Sequence, residues 1–239
     1  MFTEKSNFVP NDLDYTKEVA KRATNPATLD ALAKENYANE IICMYIADNS
    51  YVGEETLEVL AKHPSEAVRI TVAERSYKIK SSKTLAKLCY DTVRVREALA
   101  KRTTDDGVLT LLMRGNPSNK QIMENCLSRL KNVERIDKFI LTSEKEELLK
   151  YVDALLENPH LRSEELLLIV TESAKLREKQ VDKIMKHKKR NLAVLEELLR
   201  KAKDDRSFII WVPFKLKGNA CIKYHISETW CGCFCVLQL

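Results

Sequence analysis

The sequence predicts an all-α chain: an α-solenoid of about seven two-helix repeats carrying a short irregular or β-like C-terminal tail. Three observations predict it. Glycine and proline are scarce, 5 and 6 in 239 residues, which argues against a barrel or sandwich of many short strands and their turns. Leu, Ala, Lys and Glu are abundant, and these are strong helix formers. An apolar-Ala-polar pattern recurs at Val19-Ala20-Lys21-Arg22, Ile46-Ala47-Asp48-Asn49, Val72-Ala73-Glu74-Arg75 and Leu99-Ala100-Lys101-Arg102, with alanines 27, 26 and 27 residues apart.

Residues 1–14 form an N-terminal extension that is polar at its start and has no apolar signal-peptide core. The regular repeats occupy 15–117, beginning near 15, 38, 65 and 92. In each, a first stretch such as Glu66 to Arg75 puts Val68, Val72 and Ala73 on one helical face. A second stretch such as Glu55 to Ala61 puts Thr56, Leu57, Leu60 and Ala61 on an inner stripe. Asn25-Pro26 and Asn158-Pro159 mark breaks between the stretches, because proline is disfavoured inside a helix and restricts its predecessor. A hairpin this small cannot bury its apolar face alone, so stacking on neighbours must do so.

Longer, degenerate repeats occupy 118–206, beginning near 118, 146 and 176. There Cys126, Leu156 and Met185 replace the recurrent alanine, which predicts wider helix spacing or a change of curvature. The final segment, 207–239, is an aromatic- and Cys-rich tail with six of the sixteen aromatics and four of the seven cysteines. Lys217-Gly218-Asn219 reads as a turn between short strands. The tail reads as a flap over the last repeat, a poorly ordered extension, or a non-homologous end left by a shifted reading frame.

The segments Leu60-Ala61-Lys62-His63-Pro64, Val68-Arg69-Ile70-Thr71-Val72-Ala73 and Val95-Arg96-Glu97-Ala98-Leu99-Ala100 resemble the leucine-rich repeat variant family, a HEAT-like α-helical repeat. The likeness covers about residues 15–115 well and 116–203 poorly. It implies a right-handed superhelix of short helix pairs. The family's founding member carries an N-terminal cysteine-rich iron–sulfur domain. This sequence has no cysteine before Cys43, so that cofactor is not carried over, and no cofactor is expected.

Charge is unevenly placed. Residues 1–173 carry 25 positive and 28 negative side chains, 174–206 carry 12 and 6, and 207–239 carry 3 and 1. The basic block supplies Lys183, Lys186, Lys188, Lys189 and Arg190, a candidate phosphate-neutralising patch or a solvated face. A second candidate is a column two positions after the recurrent Ala: Arg22, Asn49, Arg75 and Arg102. Arg suits carboxylate or phosphate, yet cations near a helix C-terminus also bond its last carbonyls. Arg69 and Arg96 read as structural, pairing with acids such as Glu66, Glu74 or Glu97. His63 and His160 beside prolines read as solvent-facing loop residues, and Glu54-Glu55 and Glu164-Glu165 as helix-start acids.

In the tail, Cys221, His225, Cys231, Cys233 and Cys235 are numerous enough to ligate zinc, but C-x-C-x-C is not a usual structural-zinc spacing, and no metal is assigned. Cys43, Cys89 and Cys126 sit at apolar helical positions and read as buried free thiols of a reducing, cytoplasmic setting. No run of 18 apolar residues predicts a membrane span. No nucleotide-binding, serine-hydrolase or zinc-protease motif occurs, and no small-molecule substrate suggests itself. The expectation is a non-catalytic scaffold recognising a protein or peptide along the repeat surface. The alternative is nucleic-acid binding through the basic C-terminal repeat, with a resemblance to helical-repeat alkylpurine glycosylases.

Overall fold

The computed structural model describes residues 12–173 and 176–204, and the backbone of 214–215 and 221–222. The described residues are overwhelmingly helical, with fourteen α-helices. Residues 1–131 and 132–239 form two compact units.

The first unit holds α1 (Asp12–Arg22), α2 (Pro26–Glu35), α3 (Glu40–Asp48), α4 (Glu54–Leu60), α5 (Glu66–Glu74), α6 (Ser82–Cys89), α7 (Val93–Arg102), α8 (Asp106–Gly115) and α9 (Lys120–Leu127). Asparagine starts several of them. The side-chain oxygens of Asn25, Asn39 and Asn119 accept from Ala27, Ile42 and Ile122 N–H, each answering one of the orphan donors of a first turn. Asp105 does the same for α8 at 2.8 Å. Pro26 at the first turn of α2 removes a donor that has no partner there anyway.

Packing in this unit alternates. Helix α1 lies against α3, α3 against α5, α5 against α7 and α7 against α9; separately, α2 lies against α4 and α6 against α8. The odd-numbered layer is the more intimate, since Ala20, Ala47, Ala73 and Ala100 are fully buried in it and admit close approach. Leu29, Leu57, Leu88, Leu109 and Leu112 supply the stripe of the even helices.

The second unit holds α10 (Val133–Thr142), α11 (Lys145–Leu156), α12 (Ser163–Glu172), α13 (Glu178–Lys186) and α14 (Leu192–Asp204). Here α10, α12 and α14 pack in series more extensively than α11 does on α13. Leu156 and Met185 stand on that looser pair, where α1, α3, α5 and α7 have alanine and α9 has Cys126. Asn132 and Asn191 cap α10 and α14, and Glu165 closes the start of α12 by accepting from Arg162 N–H. Phe139 and Tyr151 meet edge to face at 5.9 Å between centroids.

In the tail, Phe214–Lys215 and Cys221–Ile222 pair antiparallel, Phe214 opposite Ile222. The turn expected at Lys217-Gly218-Asn219 lies outside the described residues. No helix among the described residues is long and apolar enough to cross a membrane.

Candidate functional site

Helix C-termini leave carbonyls without intrahelical donors, and a glycine-poor chain cannot close many of them with left-handed glycine caps. Helices α1, α3 and α7 of the first unit solve this with donors from the next hairpin. Asn49, at the end of α3, is buried; its Nδ2 donates to the carbonyls of Ala20 (2.8 Å), Lys21 (3.2 Å) and Ala23 (3.0 Å) at the end of α1. Its Oδ1 accepts from Tyr51 N–H at 2.8 Å, completing a local turn. Arg75, at the end of α5, donates to the main-chain oxygen and the carboxylate of Asp48 at the end of α3. Lys78 reaches the Ser50 and Val52 carbonyls of the same turn.

Two members of the sequence-derived column thus bond the preceding helix end rather than their own. The other two are exposed. Arg22 pairs with Glu18 one turn earlier on α1, 3.0 Å apart, and Arg102 is the exposed last residue of α7. The end of α7 receives Arg129 Nε instead, 3.3 Å from the Thr103 carbonyl.

The even helices close differently. Asn36 and Asn116 donate to Leu32 and Leu112 carbonyls of their own helices, 3.0 and 2.8 Å away. His63 overturns its reading as a solvent-facing loop residue, for it is 3% exposed. Its Nε2 donates to the Tyr37 carbonyl (2.7 Å) while Nδ1 accepts from Ser65 N–H (3.0 Å), which fixes the neutral Nε2–H tautomer. Glu54, at the start of α4, accepts from Lys80 and Ser81 N–H, and Asp106 from Lys131 N–H.

Arg69 also differs from its expected pairing. It forms a two-point bridge to Asp91, Nε–Oδ2 2.8 Å and Nη2–Oδ1 3.0 Å, and donates to the carbonyls of His63 and Pro64. Asp91 begins the turn into α7 and so offers a carboxylate that Glu66 and Glu97, on the helices themselves, do not. Burial opposes ionisation of Asp91, but hydrogen bonds from Arg69 and Thr92 N–H and the charges of Arg69 and Lys87 outweigh it and hold the carboxyl below its usual range. Arg96 is half-buried, and its Nε has no hydrogen-bond partner.

In the second unit the basic block is divided. Lys183 is held by Asp153 (2.8 Å) and Glu157 (3.4 Å), and Lys186 by Asp182 (2.7 Å). Lys188, Lys189 and Arg190 are exposed in the turn between α13 and α14. Burial, then the Lys189 charge, pushes the neighbouring His187 below the usual histidine range. Asp153 collects Arg177 and Gln180 as well as Lys183, and Lys201 Nζ donates to the Thr171 and Ser173 carbonyls at the end of α12.

Cys43, Cys89 and Cys126 are free and buried. Burial pushes Cys43 and Cys89 up to about 11 and Cys126 to about 12, which keeps them thiols at neutral pH. Cys221 lies in the short ladder, and His225, Cys231, Cys233 and Cys235 fall outside the described residues. Among the described residues, no three His, Cys, Asp or Glu side chains gather as a metal cluster.

No family model, characterised protein or solved structure matches the chain.

Sequence reasoning did not reach Lys78, Arg129, Lys201 or Gln180 as inter-hairpin donors. Their signal is spacing: Arg75 bonds a residue 27 positions back, Lys78 positions 28 and 26 back, and Arg129 one 26 back, close to the alanine period. Nor did it reach the outward faces of α3 and α5. There Ile41 is 51% exposed, and Met44, Tyr45, Ala67 and Ile70 are half-buried.

Proposed function

We propose that this chain is a non-catalytic α-solenoid binding module of about seven two-helix repeats that recognises a protein or peptide along its helical surface. One observation carries the reading. In the first unit, polar bonds from Asn49, His63, Arg75, Lys78 and Arg129 each span about one sequence period to the preceding hairpin, whereas α3 and α5 leave Ile41, Met44 and Ile70 at least partly exposed. The first feature makes a stacked, mutually braced scaffold. The second leaves side chains of the kind that mark protein contacts when they stand together on a surface.

A second reading is nucleic-acid binding through Lys188, Lys189 and Arg190, which share one exposed turn. The test is selection of a random peptide library on the immobilised full chain, alongside titration with labelled single- and double-stranded DNA and RNA at low and moderate salt. Enriched peptides that compete with one another for the chain support the protein-binding reading. If selection enriches nothing, and nucleic acid binds with an affinity that falls log-linearly with salt and is lost when Lys188, Lys189 and Arg190 become Ala, the second reading replaces it.

A further inference from the structure

The odd helices of the first unit present equivalent rows of side chains, and the rows change character across the layer. On α3, Glu40, Ile41, Met44, Tyr45 and Asp48 fall at spacings of three and four and share a face. On α5 the equivalent positions, 26 residues on, are Glu66, Ala67, Ile70, Thr71 and Glu74. Between an acid at each end, α3 carries Ile41, Met44 and Tyr45, and α5 carries Ala67 and Ile70 with Thr71 turned inward and buried. On either side the pattern breaks. Helix α1 has Leu13, Asp14, Lys17, Glu18 and Lys21 at the matching places, and α7 has Val93, Arg94, Glu97, Ala98 and Lys101, so the middle of each row is charged.

The two helices contribute no free cation of their own to this face. Helix α3 contains no Lys or Arg at all. The only one on α5 is Arg69, whose side chain is 16% exposed and bound to Asp91. Neighbouring helices supply the nearby cations: Lys21 Nζ of α1 sits over the Tyr45 ring, 4.5 Å from its centroid, and Arg94 of α7 lies 4.0 Å from Glu66. Asp48 is paired with Arg75, which leaves Glu40 and Glu74 as exposed acids at opposite ends of the pair of helices. The two helices pack directly on each other, so their rows lie side by side.

Resting on the binding-module reading above, we propose that the α3–α5 face seats an amphipathic helix of a partner protein, its apolar stripe lying on Ile41, Met44 and Ile70 and its Lys or Arg residues bracketing that stripe to meet Glu40 and Glu74. Charge complementarity selects this occupant. From Glu40 to Asp48 the face extends about 12 Å along the helix axis, so the partner needs an apolar stripe of about two turns. An acidic helix of the same apolar pattern meets like charge at the ends, and a purely polar strand leaves Ile41 uncovered.

The probes are two synthetic helices of about four turns with identical leucine stripes, one flanked by Lys and the other by Glu. Each is titrated against the full chain by fluorescence anisotropy, and hydrogen exchange records which helices it protects. The expected result is preferential binding of the Lys helix with protection of α3 and α5. Ile41→Ser, at an exposed position, weakens it by about tenfold, the fold-change expected from losing one buried aliphatic side chain. The double change Glu40→Lys and Glu74→Lys, also at exposed positions, reverses the preference toward the Glu helix.

Equal affinity for the two helices, binding indifferent to all of these changes, protection confined to other helices, or no binding of the Lys helix each overturns the assignment. Library selection separates this from failure of the broader reading. Peptides that enrich on the chain and ignore Ile41→Ser leave the module a binder with its site elsewhere.

Discussion

In the first unit the odd helices approach through Ala20, Ala47, Ala73 and Ala100, each fully buried, and that layer is the tightly packed one. In the second unit Leu156 and Met185 stand at the corresponding places, α11 and α13 touch less extensively, and the close packing passes to α10, α12 and α14. The looser pair carries the larger side chains: Leu and Met separate α11 from α13, whereas Cys126 on α9, close to alanine in size, still permits extensive packing on α7. A methyl group lets two helices meet near the short end of the usual interaxial range of about 8–10 Å, and a leucine holds them apart.

Opposite substitutions break this comparison most sharply. Ala73→Leu forces three extra heavy atoms between α5 and its neighbours and is expected to cost about 3 kcal/mol, at the upper end for overpacking. Leu156→Ala, in a site 8% exposed, is expected to cost about 2–3 kcal/mol through lost burial and a residual cavity. Urea unfolding midpoints report both, with the slope checked for change. Should Ala73→Leu leave the midpoint in place, the alanine layer is not sterically set and the explanation fails.

Buried acids sharpen the contrast from another side. Asp91 in the first unit has Arg69 against it and a carboxyl held below the ordinary value of 3.8. Asp137 on α10 faces a second carboxylate. Burial first and the Glu165 charge second push its carboxyl up, against the opposing pull of Arg162, and its Oδ1 is buried without a partner. Glu165 keeps its own charge because, although burial opposes it, the Arg162 side chain and backbone N–H hold it below the usual range.

The signs of the two pH effects follow. A depressed carboxyl contributes stability above its unfolded pKa, and that contribution is lost as pH falls through the folded value. Asp91→Asn therefore destabilises by about 2 kcal/mol at neutral pH, and the deficit narrows below about pH 4. A raised carboxyl favours the folded state only while protonated, so stability is lost as pH rises through the folded value. Asp137→Asn is then expected to stabilise at neutral pH, on the order of 0.5 kcal/mol, with the gain gone in acid. Thermal melts of both variants from acid to neutral pH check this. A common sign at neutral pH contradicts it.

The helical class was legible because glycine scarcity and the alanine period act on the whole chain. The positions of α1 through α8 follow from apolar spacing, and Asn25-Pro26 announces a helix start by its own chemistry. What spacing could not reveal was the destination of side chains. Asn49 and Arg22 occupy the same place in the repeat, yet one is buried under the end of α1 and the other points to solvent, because α1 has no preceding hairpin among the described residues for Arg22 to cap. His63 looked like a loop residue because Pro64 follows it, whereas its ring bridges two helix ends. Asp91 was invisible as the partner of Arg69 since a turn brings it there.

That distinction within the column separates a modest effect from a near-absent one. Arg75, with a side chain 27% exposed, donates to both the carbonyl and the carboxylate of Asp48, so Arg75→Ala is expected to cost about 1–2 kcal/mol by leaving a helix-end carbonyl unpaired. Arg22→Ala removes an exposed pair within one helix and is expected to cost no more than about 0.5 kcal/mol. A double-mutant cycle of Arg75→Ala with Asp48→Ala separates the two bonds Arg75 makes. The coupling energy reports the carboxylate alone, because the Asp48 carbonyl survives its truncation, and it should fall short of the whole Arg75→Ala loss. Coupling equal to that loss assigns everything to the ion pair and leaves the helix-end cap without energetic weight. Equal costs at Arg22 and Arg75 erase the difference between a solvated column residue and one that braces its neighbour.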